Sequence, residues 1–498
     1  MTQPGFADIN FGYSAAETEG AQAPELLLDG FLDYGQLTDK ALNGVPFLFL
    51  GYKGSGKTAI AERAALLAHN DPLLFVHHAW LDTFSFSDFK TAASGGNNAQ
   101  TQYPTVWSWL LLLTLLHSLQ RDEGGREGAK EYHQMVEGVK SLGLLPVPAL
   151  SDLVTTSSKK SFKVQIPKLL EYAHERAAAT QDLQLRQLAA ALEQGLKTFR
   201  TKSRHVIFVD GLDSLFKQQE LQFQSLAALI GAAARLNNAF QKNGQGFKFV
   251  VLCRTDIFDR LPGANINKFR QDRAGILEWF DAPKNPDSTR LIRFANLRAK
   301  LTLRRDVNIF DEFLPSKLHG RPIRTAILDH TRHTPRDLVQ ILRYLQEFAP
   351  GAGRLTPDQV LSGLRRYSIE HFIPELRNEL SGYLDQPQID QAITLLATLT
   401  NQRVTSAELR SRARELKFDG LDLDSLTKIL FDASCIGTFE ARDGRQPLHS
   451  FKYRNRNATL LPTQDMWLHP ATLKGLNIEV ARARPRGTRS VPRFRGGR

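Results

Sequence analysis

The sequence predicts an α/β protein built on a parallel sheet covered by helices, and three observations predict it. A short apolar segment, Phe47 to Leu50, runs through a glycine-rich turn into an Ala/Leu-rich helical stretch, Ala59 to Ala68. Further apolar runs of strand length recur at LLFVHHAWL (Leu73 to Leu81), RHVIFVD (Arg204 to Asp210), FKFVVLC (Phe247 to Cys253) and AGILEWF (Ala274 to Phe280). Helical patterns separate them, such as LQFQSLAALIGAAARLNNAF, where Leu226, Leu229, Ile230 and Ala233 fall at helical spacing. Strands that alternate with helices form parallel sheets with both faces covered.

The turn after the first strand reads Gly51-Tyr52-Lys53-Gly54-Ser55-Gly56-Lys57-Thr58, followed by Ala59. Two glycines five apart followed by lysine and threonine have the spacing of a phosphate-binding loop. In such a loop the backbone N–H groups and the following helix N-terminus face an anion. Lys57 is then expected to reach the β- and γ-phosphates of a nucleotide, with the Thr58 hydroxyl on Mg²⁺. No guanine-reading Asn-Lys-x-Asp element is evident, which by itself does not separate ATP from GTP.

A second half of the site is expected at Val206 to Val209, a buried strand whose end presents Asp210, from which a carboxylate holds Mg²⁺ through its water shell. Asp213, three residues on, is the candidate for orienting an attacking water. The remaining elements divide the chain as follows. Residues 1–45 form an N-terminal segment packing on the core, and 46–286 the sheet domain, interrupted by a helical insertion at about 82–200. Residues 287–350 read as a wholly helical, basic lid. Residues 357–480 contain a long helix (PDQVLSGLRRYSIEHFIPELRNEL), further helices, a capping box at Thr405-x-x-Glu408 and a hairpin turn signal at Asp443-Gly444, together suggesting a winged-helix-like domain. Residues 481–498 are poor in apolar side chains and rich in arginine, glycine and proline, the composition of a disordered basic tail.

Composition bounds the rest. The 498 residues are 42% hydrophobic, enough for several folded cores, and carry a formal charge of +12. Seven of the positive charges lie in the eighteen-residue tail, which reads either as a contact for nucleic acid or an acidic partner or as a solvated solubility tail. Two cysteines far apart, Cys253 and Cys435, both beside apolar residues, fit buried thiols in a reducing compartment. The N-terminus lacks the pattern of a signal peptide, and VWSWLLLLTLLHSL (Val106 to Leu119) is too short for a membrane span, so it reads as a core helix of a cytoplasmic protein. The pairs His77-His78 and His330/His333 lack the companions and spacing of a zinc site.

Asp210-Gly211-Leu212-Asp213, with a small residue after the first acid and a second acid three positions on, is similar to the signal-transduction P-loop ATPases. These are the STAND and NACHT-like groups, relatives of the origin-recognition AAA+ ATPases. The segments INFGYSAAETEG, PELLLDGF, LGYKGSGKTA, CRTDIFDRL, NKFRQDRAGILEW and TRHTPRDLV resemble a bacterial P-loop ATPase family, some of whose members lie near mobile or defence loci. The resemblance covers about Ile9 to Phe348 and implies an AAA+/STAND-like fold, ATP as the nucleotide and ATPase activity. It implies a polar sensor at Arg254-Thr255, a second sensor arginine at Arg336 in the lid, and an aromatic such as Phe11 or Tyr13 over adenine. Packing of these aromatics against the sheet is the alternative, as is an Arg336 ion pair with Asp337. Gly211 stands where many AAA+ enzymes have glutamate, which implies slow turnover, and Arg254 stands where a small polar residue is usual, which leaves it between sensor and interface finger. Arg260, Arg270 and Arg273 lie in the region of a trans-acting finger.

The function these features imply is a Mg-ATP-dependent switch that couples nucleotide state to homo-oligomerisation or a protein partner, with no membrane role; a setting in anti-phage defence is implied only by the associations of the resembled family. The rival reading is an ATP-dependent DNA-binding adaptor acting through the tail and the C-terminal domain. The helix before the hairpin carries Asp424 and Asp432 against Lys428 alone, and an acidic helix enters a DNA groove poorly.

Overall fold

Consecutive apolar residues at Leu48 to Leu50 and Val206 to Val209 leave a strand no polar face, so it must lie inside a sheet covered on both sides. The computed structural model describes residues 4–81, 102–124, 129–141, 145, 181–212, 219–263, 266–283, 285–351, 353–418, 420–441 and 448–479. Asp213, the Asp443-Gly444 turn, Arg445, much of the 82–200 insertion and the tail 481–498 lie outside them. The chain divides into two compact units, residues 1–363 and 364–498.

In the first unit α1 (Ala16–Gln22), α2 (Pro24–Leu28) and α3 (Leu37–Leu42) precede β1 (Leu48–Gly51), α4 (Lys57–Ala68) and β2 (Leu74–Trp80). The insertion contributes α5 (Tyr103–Leu119), α6 (Ala129–Ser141) and α7 (Gln181–Thr198). Then follow β3 (Arg204–Asp210), α8 (Gln219–Lys242), β4 (Phe247–Arg254), α9 (Thr255–Phe258), α10 (Ile266–Arg273) and β5 (Ala274–Leu277). The five strands form one sheet in the order β2-β3-β4-β1-β5, every pair parallel. The expected α/β class with a phosphate-loop turn at the end of the first strand is therefore the observed one.

Period-two alternation divides the strand side chains between the faces. Phe49, Val206, Phe208, Val250 and Leu252 pack with Leu37, Ala41, Ile60 and Ala64 of α3 and α4. Leu48, Leu50, Ile207, Val209 and Val251 pack on the other side with Trp107, Leu110, Leu229 and Phe240 of α5 and α8. The apolar helix α5 is thus core, and no helix among the described residues is long and apolar enough to cross a membrane. Both cysteines are free and buried.

A sealed polar network fastens α5 to β3. Ser118 Oγ lies 2.9 Å from His205 Nδ1, His205 Nε2 lies 3.2 Å from Asp122 Oδ2, and Thr201 donates to that carboxylate at 2.5 Å. Phe75 stacks on the imidazole at 4.7 Å. The connectivity is that of a hydrolase triad, but all its members are buried, which leaves a structural tie. Burial holds the His205 pKa down, with Asp122 opposing, so the ring is neutral near pH 7.

Beyond β5 come α11 (Arg290–Leu303), α12 (Ile309–Glu312), a two-stranded hairpin β6 (Lys317–Leu318) and β7 (Arg321–Pro322), α13 (Ile323–Leu328) and α14 (Pro335–Gln346). The hairpin departs from the wholly helical lid expected: His319 and Gly320 both take positive φ (49° and 79°), as a two-residue strand-reversing turn requires. The N-terminal segment is bound to this region. Arg298 of α11 and Glu19 of α1 form a buried bidentate pair at 2.8 and 2.5 Å, and Arg298 also donates to the Phe11 carbonyl at 2.7 Å. Gly12, at φ 101°, is a glycine of necessity, since a Cβ there would lie 2.0 Å from the guanidinium.

The second unit holds α16 (Ile373–Leu380), α17 (Gln386–Ala397), β8 (Arg403–Val404), α18 (Ser406–Glu415), α19 (Leu423–Asp432), β9 (Ile436–Glu440), β10 (Leu448–Ser450), β11 (Met466–Leu468) and α20 (Pro470–Gly475). Its strands form an antiparallel sheet in the order β10-β9-β11-β8. The single long helix expected from Pro357 is instead α15 (Pro357–Tyr367), a π-turn at Ser368–Phe372, and α16. Pro374 has no N–H to give the Glu370 carbonyl, and the turn before it widens so that Ile373 N bonds Ser368 O. Thr405 caps α18 by accepting from Glu408 N at 3.1 Å, while a reciprocal capping box forms at Asp385 and Gln388.

Removing either partner of the Glu19–Arg298 pair leaves a buried charge alone. Arg298→Ala and Glu19→Ala are each expected to destabilise the first unit by about 3–5 kcal/mol. The double variant loses less than the two together, read from urea unfolding of all four proteins.

Candidate functional site

Parallel strands bring their C-terminal ends to one edge, and the register sets Gly51 between Arg254 and Leu277, with Asp210 beside Trp80. At that edge the loop from Gly51 to Gly56 turns into α4. Gly54 and Gly56 adopt φ of 79° and 94°, conformations closed to most side chains. The Gly56 N-cap supplies no side-chain cap, so the first N–H groups of α4 lack a side-chain acceptor. The Ser55 hydroxyl is buried and has no hydrogen-bond partner among the described residues. Lys57, 8% exposed, folds back so that its ammonium donates to the carbonyls of Gly51 and Tyr52, each at 3.3 Å. A buried ammonium, open helix N–H groups and an orphan hydroxyl together make a site for an anion of high charge.

Thr58 Oγ1 donates to Asp210 Oδ2 at 2.6 Å, and Gly211 N donates to Asp210 Oδ1 at 2.8 Å. Two hard oxygen donors thereby converge, the chemistry that suits Mg²⁺. A third group joins them that sequence reasoning did not select. His78 of β2 lies 3.5 Å from Asp210 Oδ2 through Nε2 and 3.2 Å from Glu62 Oε1 through Nδ1, and it stacks on Trp80 at 3.9 Å. Burial disfavours its charge, but Asp210 and Glu62 outweigh burial and push its pKa up to about 9. Burial likewise favours a neutral Asp210, yet His78, Thr58 and Lys57 hold its carboxyl below the usual range. His77 points to the opposite face, as neighbours on a strand must, and meets His117 edge-on at 5.8 Å. Burial and that histidine lower the His77 pKa to about 4, so the two adjacent histidines share no site.

The two arginines expected as sensors are placed differently. Arg254 ends β4 beside Gly51, but its guanidinium is gripped by Asp256, at 3.0 Å through Nε and 2.7 Å through Nη2. Arg336 opens α14 directly over the loop: its N–H lies 3.4 Å from the Gly54 carbonyl, and a Cβ on Gly54 would touch the Arg336 and Thr334 side chains. Its Nε donates to the Ser14 carbonyl at 2.9 Å. The ion pair considered for it with Asp337 belongs instead to Arg332, which reaches that fully buried carboxylate through Nε and Nη2, both at 3.1 Å. Thr334 caps α14 by accepting from Asp337 N at 3.2 Å. Of the arginines in the finger region, Arg270 is paired with Asp259.

Phe11 packs on Phe6, and Phe6 on Phe313 of the lid, so Phe11 lies in a lid-side core and does not pack against the sheet. Tyr13 is half-buried beneath the Arg343 guanidinium of α14, 5.7 Å away. A further missed contact is Trp279, just past β5, whose indole N–H donates to the Ser55 carbonyl at 2.8 Å.

Residues 289–373 match the family described as the FunZ-associated C-terminal helical domain, a span that opens at the start of α11. No curated protein matches the chain. Among solved structures, the Orc1 protein of Aeropyrum pernix in complex with DNA is similar over 91% of this chain and 94% of its own, at 13% identity and a TM-score of 0.38.

Arg332→Ala takes the guanidinium from the buried Asp337 carboxylate, leaving it the Arg332 backbone N–H, and is expected to cost about 3–5 kcal/mol of stability. Arg336→Ala, at a half-exposed position with a single backbone contact, is expected to stay within about 0.5 kcal/mol. Thermal unfolding without nucleotide separates the two.

Proposed function

We propose that the protein is a Mg-ATP-dependent switch of the AAA+/STAND-like kind, binding ATP at the loop Gly51–Ala59 and hydrolysing it slowly. The observation that carries this reading is the meeting, at one edge of the sheet, of an uncapped helix N-terminus, the Lys57 ammonium and the Thr58–Asp210 pair. Lys57 would leave the loop carbonyls for the β- and γ-phosphates, and the N–H groups of the loop would hold the β-phosphate. Bound Mg²⁺, held by the Thr58 hydroxyl and by Asp210 through water, would neutralise phosphate charge. His78 and Glu62 keep Asp210 ionised and oriented. The Gly211 position offers no carboxylate, which is the ground for expecting slow turnover, and the orienting of water is assigned to Asp213.

Arg336 supports a switch role because its backbone already contacts the loop at Gly54. Exchange of its guanidinium from the Ser14 carbonyl to the γ-phosphate would couple nucleotide to the lid and the N-terminal segment together. Such coupling transmits a signal only where a partner, or a second copy of the chain, prefers one nucleotide state. Arg254, gripped by Asp256, is assigned to holding the end of β4 beside the loop. A defence setting is supported only by the sequence resemblance to a P-loop ATPase family some of whose members lie near defence loci.

The second reading, a DNA-binding adaptor with a winged-helix-like C-terminal unit, draws on the seven tail arginines. Against it, several basic groups of that unit are engaged locally: Arg410 with Asp424, Arg412 with Glu415, Arg403 with Asp465. Salt-sensitive DNA binding that disappears on deletion of residues 481–498 would favour it.

Phosphate release and sizing with Mg-ATP test the first reading. Lys57→Ala is expected to weaken ATP binding about ten- to a hundredfold, the weight of charge-assisted hydrogen bonds. Asp210→Asn is expected to retain ATP and lose phosphate release. Wild-type protein that neither binds ATP nor changes mass with it would exclude the switch.

A further inference from the structure

Trp279 occupies a position no phosphate-loop pattern specifies. It lies two residues past β5, in the connector to the lid, and is 7% exposed. Its indole N–H donates to the Ser55 carbonyl at 2.8 Å in a buried setting. Its ring meets Tyr34 edge-on at 4.9 Å and Phe294 of α11 edge-on at 5.7 Å. The next residue, Phe280, meets His333 edge-on at 5.0 Å, in the turn that delivers Thr334 and Arg336 to the loop. Within the same connector, Asp281 accepts from the Arg290 N–H at 3.1 Å, at the first residue of α11. The few residues after β5 thus touch the phosphate loop and the start of two lid helices.

The consequence follows from peptide geometry. A trans peptide is planar, with its C=O and N–H pointing in opposite directions. Holding the Ser55 carbonyl against the indole therefore turns the Gly56 N–H the other way, away from Trp279. Gly56 is at φ 94°, a region where the peptide has few other restraints, and its side chain can contribute none. Pre-aiming one donor removes ordering entropy that nucleotide binding would otherwise have to overcome.

We infer that Trp279 is a positioning residue for the nucleotide: it orients the Ser55–Gly56 peptide for phosphate and, through Phe294, links that peptide to the lid. This rests on the nucleotide-binding reading above. Because the peptide faces the diphosphate part of the ligand, Trp279 serves ADP and ATP alike, whereas Arg336 distinguishes them.

The test compares wild type, Trp279→Phe, Phe294→Leu and Lys57→Ala, by calorimetric titration with Mg-ATP and Mg-ADP and by thermal unfolding without nucleotide. Trp279→Phe keeps an aromatic ring in the cluster and deletes the donor together with part of the buried ring, a loss that the nucleotide-free unfolding midpoint reports. It is expected to weaken ATP and ADP equally, by about three- to tenfold, with the nucleotide-free midpoint moved by only a few degrees. Phe294→Leu keeps the indole–Ser55 bond and is expected to bind ADP as wild type does, while losing the ATP-induced change in tryptophan emission. Trp279→Phe that binds both nucleotides within twofold of wild type overturns the inference, as does a loss of affinity matched by collapse of the nucleotide-free fold. An emission change that survives Phe294→Leu overturns the link to the lid. If wild type and Lys57→Ala are alike in failing to bind, the nucleotide reading itself falls; if they differ and Trp279→Phe equals wild type, only the role of Trp279 does.

Discussion

The hydrogen bond from Thr58 to Asp210 joins residues 152 positions apart, one in the first turn of the helix that follows β1 and the other at the end of β3, strands that are not neighbours. β4 lies between β1 and β3, so the contact forms only if all three are parallel and end at the same edge. A parallel arrangement needs both faces covered, because each connection returns a helix across the sheet. The apolar surfaces of α3 and α4 on one side and of α5 and α8 on the other meet that need. The geometry of the phosphate loop thus depends on helices far from it, one of which, α5, belongs to the insertion.

Charge placement decides which basic groups can face a ligand. On a helix, successive residues are turned by about 100°, so Asp337 and Arg336 at the start of α14 point apart. Asp337 turns inward and collects the Arg332 guanidinium and the Arg332 backbone N–H, its own N–H goes to Thr334 Oγ1, and Arg336 is left over the loop beside Ser14. Glu19 and Arg298 act similarly, tying the N-terminal segment to α11 across a gap that Gly12 alone fits. In the sheet, His78 gives Asp210 a counter-charge and is itself held by Glu62. Arg254, by contrast, has its guanidinium engaged by a near neighbour in sequence.

Much of the sheet was legible because buried parallel strands are short, uniformly apolar and bounded by turn residues. The loop was legible because its glycines and its Lys-Thr pair answer to local backbone geometry. The misses share a different cause. The His319-Gly320 turn places a histidine at positive φ, a conformation its residue type does not announce in sequence. The interruption at Pro374 was carried by one residue within a helical pattern that was otherwise unbroken. Trp279 looks like any core aromatic, since nothing near it in sequence indicates a carbonyl 224 positions away. Phe11 was expected beside the sheet or the base, and it packs with Phe6 in the lid-side core.

By itself the sequence determined the α/β class, the strand-loop-helix that forms the phosphate loop, and Asp210 as the end of a buried strand, because each depends on residues close together along the chain. Only the tertiary structure decided that Asp337 takes Arg332 and leaves Arg336 over the loop, that Arg254 is engaged by Asp256, and that His78 and Trp279 belong to the site. Those outcomes depend on which side chains meet across strands and helices, and electrostatic pairing selects partners by distance and burial, neither of which is written in local order.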